Sequence, residues 1–130
     1  MPHVSVIVPC INEEATIGAL LEAIYAQSYP RAELEVIIAD GLSEDATRQR
    51  IAEFQAAHPD LALRVIDNPS RVIPAGLNLA IQAARGETIF HIGADRQWRM
   101  AEIPRLVERL EAGYDVVIGV RRNKQYTWRR

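Results

Sequence analysis

Val4-Ser5-Val6-Ile7-Val8-Pro9-Cys10-Ile11-Asn12-Glu13-Glu14 is the stretch that decides how this chain folds. Its first five residues are mostly β-branched and apolar, which fits a strand buried on both faces. Pro9 is expected to end that strand and turn the chain outward. A polar, acidic segment then leads to Ile17, Leu20, Leu21 and Ile24, spaced i, i+3, i+4 and i+7 like the stripe of an amphipathic helix. The same order recurs in the apolar run 34–39, followed by Asp40-Gly41-Leu42-Ser43-Glu44-Asp45. In a parallel α/β sheet, ligands bind at the carboxyl ends of the strands. Two such ends, each furnished with a carboxylate, imply a polar ligand held across adjacent strands.

Working outward, runs of strand length lie at residues 4–8, 34–39, 63–66, 88–92 and 116–120. Helical spacing falls between them. Leu77, Ala80, Ile81 and Ala84 repeat the i, i+3, i+4, i+7 pattern, as do Ile103, Leu106, Val107 and Leu110. Ile51 and Phe54 mark a weaker stripe. Gly86 and Gly113 read as helix stops, and Pro74 suits the first turn of the third helix. Pro30, Pro59 and Pro69 fall in connections, where a missing N–H does no harm. Neither an internal repeat nor a low-complexity tract interrupts the alternation. The expected architecture is one α/β domain over residues 1–130, βαβαβαβαβ, with right-handed crossovers, a mostly parallel sheet and helices on both faces.

Composition narrows the function classes. The chain has 130 residues, 48% hydrophobic and 25% charged, as in an ordinary globular protein. Fifteen basic and seventeen acidic residues leave a formal charge of −2, which favours neither nucleic acid nor a membrane as partner. The basic residues Arg121, Arg122, Lys124, Arg129 and Arg130 form a local cluster that reads as a solvated tail, with a phosphate or lipid contact as the alternative. Cys10 is the only cysteine, so no intramolecular disulfide forms and a reducing compartment is the default. A buried structural thiol is the expected role. No run reaches membrane-spanning length and the start lacks a signal-peptide pattern, so the expected location is cytoplasmic.

Four groups of residues carry the chemistry. Pro9, Asn12, Glu13 and Glu14 follow the first strand, where Asn12 and Glu13 offer an amide and a carboxylate to a ligand. Helix capping by Asn12 is the competing reading. Asp40, Gly41, Ser43 and Asp45 follow the second strand. Asp40 is placed to accept a hydrogen bond from a base N–H, while Ser43 or Asp45 caps the next helix. Asp67-Asn68-Pro69-Ser70-Arg71 is a turn signal leading to Gly76, and Gly76 allows close backbone approach at a helix start. Arg71 could face a base or phosphates. His91-Ile92-Gly93-Ala94-Asp95 is an apolar strand ending in a carboxylate, and Mg²⁺ typically takes one or two carboxylates together with substrate phosphates.

Together these elements resemble one family. Val-Pro-x-x-Asn-Glu-Glu after the first strand, Asp-Gly-x-Ser-x-Asp after the second, and Gly-Leu-Asn-x-Ala-x-x-x-Ala-Arg-Gly-Glu before the fourth are similar to the nucleotide-sugar-binding half of a family 2 glycosyltransferase of the Rossmann-like GT-A fold. The segment from Ile66 to Arg71 further resembles exopolysaccharide enzymes of the succinoglycan-biosynthesis type. The resemblance implies that Pro9, Asn12, Glu13, Asp40, Arg71 and Gly76 line the site of a nucleoside diphosphate sugar, with UDP-sugar the expected donor. It implies that Asp95, matching the last acid of an Asp-x-Asp element, holds a divalent metal, Mg²⁺ or Mn²⁺. The implied reaction transfers the sugar with inversion to a saccharide or lipid-linked acceptor, a carboxylate acting as general base.

Two departures qualify the resemblance. Gly93 stands where the first acid of Asp-x-Asp would be, and Trp98 and Arg99 replace small or acidic residues. Family members continue into an acceptor-binding half that carries the general base, so this chain reads as a fragment or a natural truncation, with the base outside it. A longer form would sit at the inner face of a membrane. An uncovered sheet edge at 116–120 would favour self-association. A nucleotide-binding or partner module without catalysis is the alternative function.

Overall fold

In the computed structural model the described residues are 3–93 and 103–112. Their elements run β1 (Val4–Cys10), α1 (Ile17–Ala26), a 3₁₀ turn (Arg31–Glu33), β2 (Leu34–Asp40), α2 (Thr47–Ala57), β3 (Ala62–Asp67), α3 (Ile73–Ala83), β4 (Thr88–His91) and α4 (Ile103–Glu111). The sheet order is β3-β2-β1-β4 and every pairing is parallel. The expected strand at 116–120, Gly113 and Asp95 lie outside the described residues.

Strand character follows position in the sheet. β1 and β2 are buried at every residue, whereas the flanking β3 and β4 alternate or are only partly covered. Even-numbered residues of β1 and β2 pack with Ile17, Leu20, Leu21 and Ile24 of α1, with Ile51 and Phe54 of α2, and with Val107 of α4. Ile7, Ile37 and Ala39 point the other way, onto Ala80 and Leu77 of α3. Helices therefore cover both faces, as expected. A fully buried Leu or Ile contributes about 1.5–3 kcal/mol against about 1 for a helix cap. α1 carries four such residues and no side-chain cap, so its stripe rather than its capping holds it.

Several local expectations change. β1 runs through Pro9 to Cys10, with Pro9 in register with Ala39, so the proline does not end the strand. Its missing N–H removes one potential ladder donor from a central strand, and the chain turns instead at Asn12, whose φ is 50°. α3 stops at Ala83 with Ala84 extended, so Gly86 is not its stop. Gly86 is required by close packing: a Cβ there would lie 2.7 Å from Ser5 Oγ and 2.8 Å from Ser5 N. Pro74 does occupy the first turn of α3.

That packing belongs to a buried polar pin at the amino end of the sheet. Glu35, 3% exposed, accepts hydrogen bonds from Ser5 Oγ (2.5 Å), Arg64 (3.1 Å) and the Arg85 N–H (2.6 Å). Ser5 Oγ in turn accepts from the Gly86 N–H at 2.8 Å, and Arg64 donates to the Ala83 carbonyl at 2.7 Å. The α3–β4 connection is thus tied to β1, β2 and β3 at once. Burial pushes the Glu35 carboxyl up, but the hydrogen bonds from Ser5, Arg85 and Arg64 outweigh it and hold the group below its ordinary range.

Candidate functional site

The carboxyl end of the sheet gathers the connections 11–16, 41–46 and 68–72. In register there, Cys10, Asp40 and Asp67 form one cross-strand row. Each connection carries one residue with left-handed backbone: Asn12 (φ 50°), Leu42 (φ 58°) and Arg71 (φ 64°). Asparagine tolerates that region better than leucine or arginine does, and such strain concentrates at functional sites. Side chains hold the strained turns against one another.

Asn12 is not a helix cap. α1 begins five residues later, and the Asn12 carboxamide oxygen instead accepts the Glu44 N–H at 2.8 Å while the Asn12 backbone N–H donates to Ser43 Oγ at 2.8 Å. Glu13 gives its backbone N–H to Thr47 Oγ1 (2.8 Å), and its half-buried carboxylate accepts from the Thr16 hydroxyl at 3.0 Å. Glu14 and Asp45 exchange contacts, each carboxylate accepting a backbone N–H of the other connection at 3.2 Å. Asp45 also receives the Thr47 N–H at 3.0 Å, but the cap position of α2 is Ala46 and carries no side-chain cap bond, so Asp45 is not the expected cap. Ser43 serves the inter-loop contacts and makes no cap.

Asp40 is fully buried. Its Oδ1 accepts from the Ser43 hydroxyl and, at 3.6 Å, from the Cys10 thiol; its Oδ2 accepts from the Ser43 N–H at 3.1 Å and Arg48 Nε at 2.7 Å. Burial works to raise this carboxyl, yet the bonds from Ser43 and Arg48 prevail and keep it ionised below the usual range. Cys10 shows the opposite balance: burial first, then the neighbouring Asp40 charge, push its thiol up to about 12, so it is a structural thiol and no nucleophile at neutral pH.

Arg71 is exposed on the rim, with one guanidinium nitrogen 3.3 Å from the Glu44 carboxylate. Gly41 lies beneath it, where a Cβ would sit 3.4 Å from the Arg71 Cα and 3.2 Å from Ile11 Cδ1. Gly76 is buried inside α3, and the group that approaches it is the chain's own Asn68 carboxamide, 2.9 Å from where a Cβ would be, with Ala39 behind it. Asn12, Glu13, Asp40 and Arg71 therefore meet at one edge, whereas Pro9 and Gly76 support that edge from within the sheet and helix. Arg48 and Thr47 are site residues that sequence reading missed. Nothing in their spacing marks them, because their partners Asp40, Asp67 and Glu13 are brought to them by the βαβ crossovers.

Among the described residues at this edge, Arg48 pairs with Asp40 and Asp67 and Arg71 with Glu44, while the carboxylates of Glu13, Glu14 and Asp45 accept hydroxyl and backbone N–H groups. A diphosphate approaching it meets net negative charge unless a cation comes with it. No group of three or more potential metal-ligating side chains is gathered among the described residues.

Comparison with known proteins gives the family and the fold. The model of the family described as glycosyl transferase family 2 matches residues 5–130. An undecaprenyl-phosphate 4-deoxy-4-formamido-L-arabinose transferase of Aeromonas hydrophila is 36% identical over 126 residues, covering 96% of this chain and 39% of that protein. Its counterpart in Pseudomonas paraeruginosa is 38% identical over 134 residues, covering 98% of this chain and 38% of that protein. The chain thus spans under two-fifths of the curated relatives it matches. Among solved structures, the mannosyltransferase PcManGT from Pyrobaculum calidifontis, in complex with GDP-Man and Mn²⁺, superposes with a TM-score of 0.79 at 37% identity, over 84% of this chain and 32% of that one. TarS 1-349 from S. aureus, in complex with UDP-GlcNAc, gives a TM-score of 0.73 at 27% identity, over 85% and 31%.

Proposed function

Because this chain belongs to glycosyl transferase family 2, we propose that it forms the donor-binding part of an enzyme that moves a sugar from a nucleoside diphosphate sugar to a lipid-linked acceptor. The observation that carries the reading is the edge of three interlocked βα connections, each with a strained left-handed residue, at the carboxyl ends of parallel strands. In the proposed reaction an acceptor oxygen attacks the anomeric carbon from the face opposite the diphosphate. The bond from that carbon to the diphosphate oxygen breaks, and the nucleoside diphosphate leaves with the electron pair. The configuration inverts, and any acceptor proton passes to a carboxylate base. Asn12 and Glu13 bind the nucleoside, Arg71 meets the base or phosphates, and Asp40 acts from beneath by fixing the 41–46 connection.

The lipid-linked acceptor is supported by the undecaprenyl-phosphate transferases among the relatives, and UDP-sugar is the proposed donor. The acidic edge favours a cation accompanying the diphosphate, and Asp95 is the carboxylate proposed to hold Mg²⁺ or Mn²⁺. When bound, the metal would stabilise the charge of the leaving diphosphate as a Lewis acid. No helix among the described residues is long and apolar enough to cross a membrane. The acceptor lipid is proposed to reach this site from a membrane surface on the inner side.

Calorimetric titration with UDP and GDP, with and without Mn²⁺, tests the reading. Metal-dependent binding of one nucleotide is expected, and its loss in Asp95→Ala would assign the metal contact. No binding of either nucleotide would sink the proposal. Gly93→Asp is expected to tighten the metal-dependent component. Nucleotide binding with no transfer from labelled donor in the full-length protein would favour a non-catalytic module instead.

A further inference from the structure

The row of strand ends contains a conflict that one side chain resolves. Asp40 and Asp67 are partners in register, so two carboxylates on neighbouring strands face the same side of the sheet. Like charges directly opposite are destabilising, the more so when one is wholly out of water. Arg48, one residue into α2, lies between them: Nε donates to Asp40 at 2.7 Å and a terminal nitrogen donates to Asp67. The planar fork suits this double duty, which a lysine ammonium cannot match.

The contact does not stop at the strands. Asp40 holds Ser43, Ser43 Oγ receives the Asn12 N–H at 2.8 Å, and Asn12 Oδ1 receives the Glu44 N–H at 2.8 Å. Glu44 then pairs with Arg71 at 3.3 Å, four residues beyond Asp67. The bonds form a path, Asp67–Arg48–Asp40–Ser43–Asn12–Glu44–Arg71, that leaves the end of β3 and returns to the connection that follows it. All three βα connections lie on it, and two of the three left-handed residues are members.

We infer that Arg48 is a positioning residue of the donor pocket, setting nucleotide affinity through Asp40 without touching the ligand. This rests on the nucleotide-sugar reading above. Removing the guanidinium leaves two facing carboxylates and frees the 41–46 connection, so the loops that hold the nucleoside lose their shared register. Asp40 then has only Ser43 and the Cys10 thiol as donors, and with Asp67 unscreened its buried carboxyl takes up a proton at a higher pH than before.

The test measures UDP and GDP affinity, with Mn²⁺, of wild type, Arg48→Met, Arg48→Lys and Asp67→Asn, with folding checked by circular dichroism. Arg48→Met is expected to weaken binding about tenfold, Arg48→Lys to recover part of that loss, and Asp67→Asn to weaken it less than Arg48→Met. The ratio of mutant to wild-type dissociation constants is expected to grow as pH falls from 7 to 5 in Arg48→Met and to stay level in Asp67→Asn. A folded Arg48→Met that binds as wild type does, at every pH, overturns the positioning role while leaving the donor reading intact. Failure of wild type to bind either nucleotide overturns both. If Arg48→Met does not fold, Arg48→Lys decides: wild-type affinity and pH profile overturn the role, and an intermediate loss supports it.

Discussion

At the scale of single residues, the chain spends its special chemistry on backbone that an ordinary side chain would spoil. Gly86 and Gly18 make the contrast. A Cβ at Gly86 would collide with Ser5 and the β1 backbone, whereas a Cβ at Gly18 in α1 meets nothing within 4 Å. Gly86→Ala is expected to destabilise by about 1–3 kcal/mol, and Gly18→Ala to stabilise by up to about 1 kcal/mol, both read from urea unfolding. Asn12 combines a left-handed φ with a bond to the Glu44 N–H. Asn12→Ala should cost about 1–2 kcal/mol, and Asn12→Gly should recover the conformational part alone. Equal effects of the two would show that strain at Asn12 is negligible. The sequence marked Asn12 as special and offered a ligand contact or helix capping as its use; its bond to Glu44 was not legible, because that partner is distant along the chain and only the crossover supplies it.

At the scale of elements, the amino end of the sheet depends on Glu35 as the carboxyl end depends on Asp40. Leaving buried donors without an acceptor costs about 1–3 kcal/mol, and Glu35→Ala is expected to fall in that range because Ser5 Oγ and the Arg85 N–H lose theirs, while the partly exposed Arg64 keeps the Ala83 carbonyl. The sign with pH follows from the direction of the shift. Glu35 and Asp40 are held below their ordinary values in the folded state. Their contributions are therefore present above the unfolded carboxyl range, about pH 4, and are lost as pH falls through the lower folded values. Denaturant midpoints measured from pH 7 down to pH 3 should decline in wild type, and less steeply in Glu35→Gln. A parallel decline in both proteins would remove Glu35 from the account. The sequence did not signal this pin. Glu35 reads as one polar residue in an apolar run, and only the tertiary packing on that face reveals a buried acid.

At the scale of the whole molecule, the order β3-β2-β1-β4 puts the two fully buried strands in the middle, and among the described residues Asn12, Glu13, Asp40 and Arg71 gather at the carboxyl end of the sheet. Amide hydrogen exchange should be slowest in β1 and β2. Added nucleotide should slow exchange in residues 11–16, 41–46 and 68–72 but leave the connection 84–87 unchanged. Protection centred on 84–87 would move the site to the other end of the sheet. By itself the sequence determined the βα alternation, the helix stripes, the parallel α/β class and the strand ends at which to look, since these depend on local periodicity and on where apolar runs stop. Only the tertiary structure decided what each polar group at those ends does. Pro9 stays within its strand, Gly76 makes room for Asn68, and Asp40 is buried and saturated by its own chain, with Arg48 bracing it. The physical reason is that periodicity is written in neighbouring residues, whereas the environment of a carboxylate is set by donors that strand register and helix crossover bring from far along the chain.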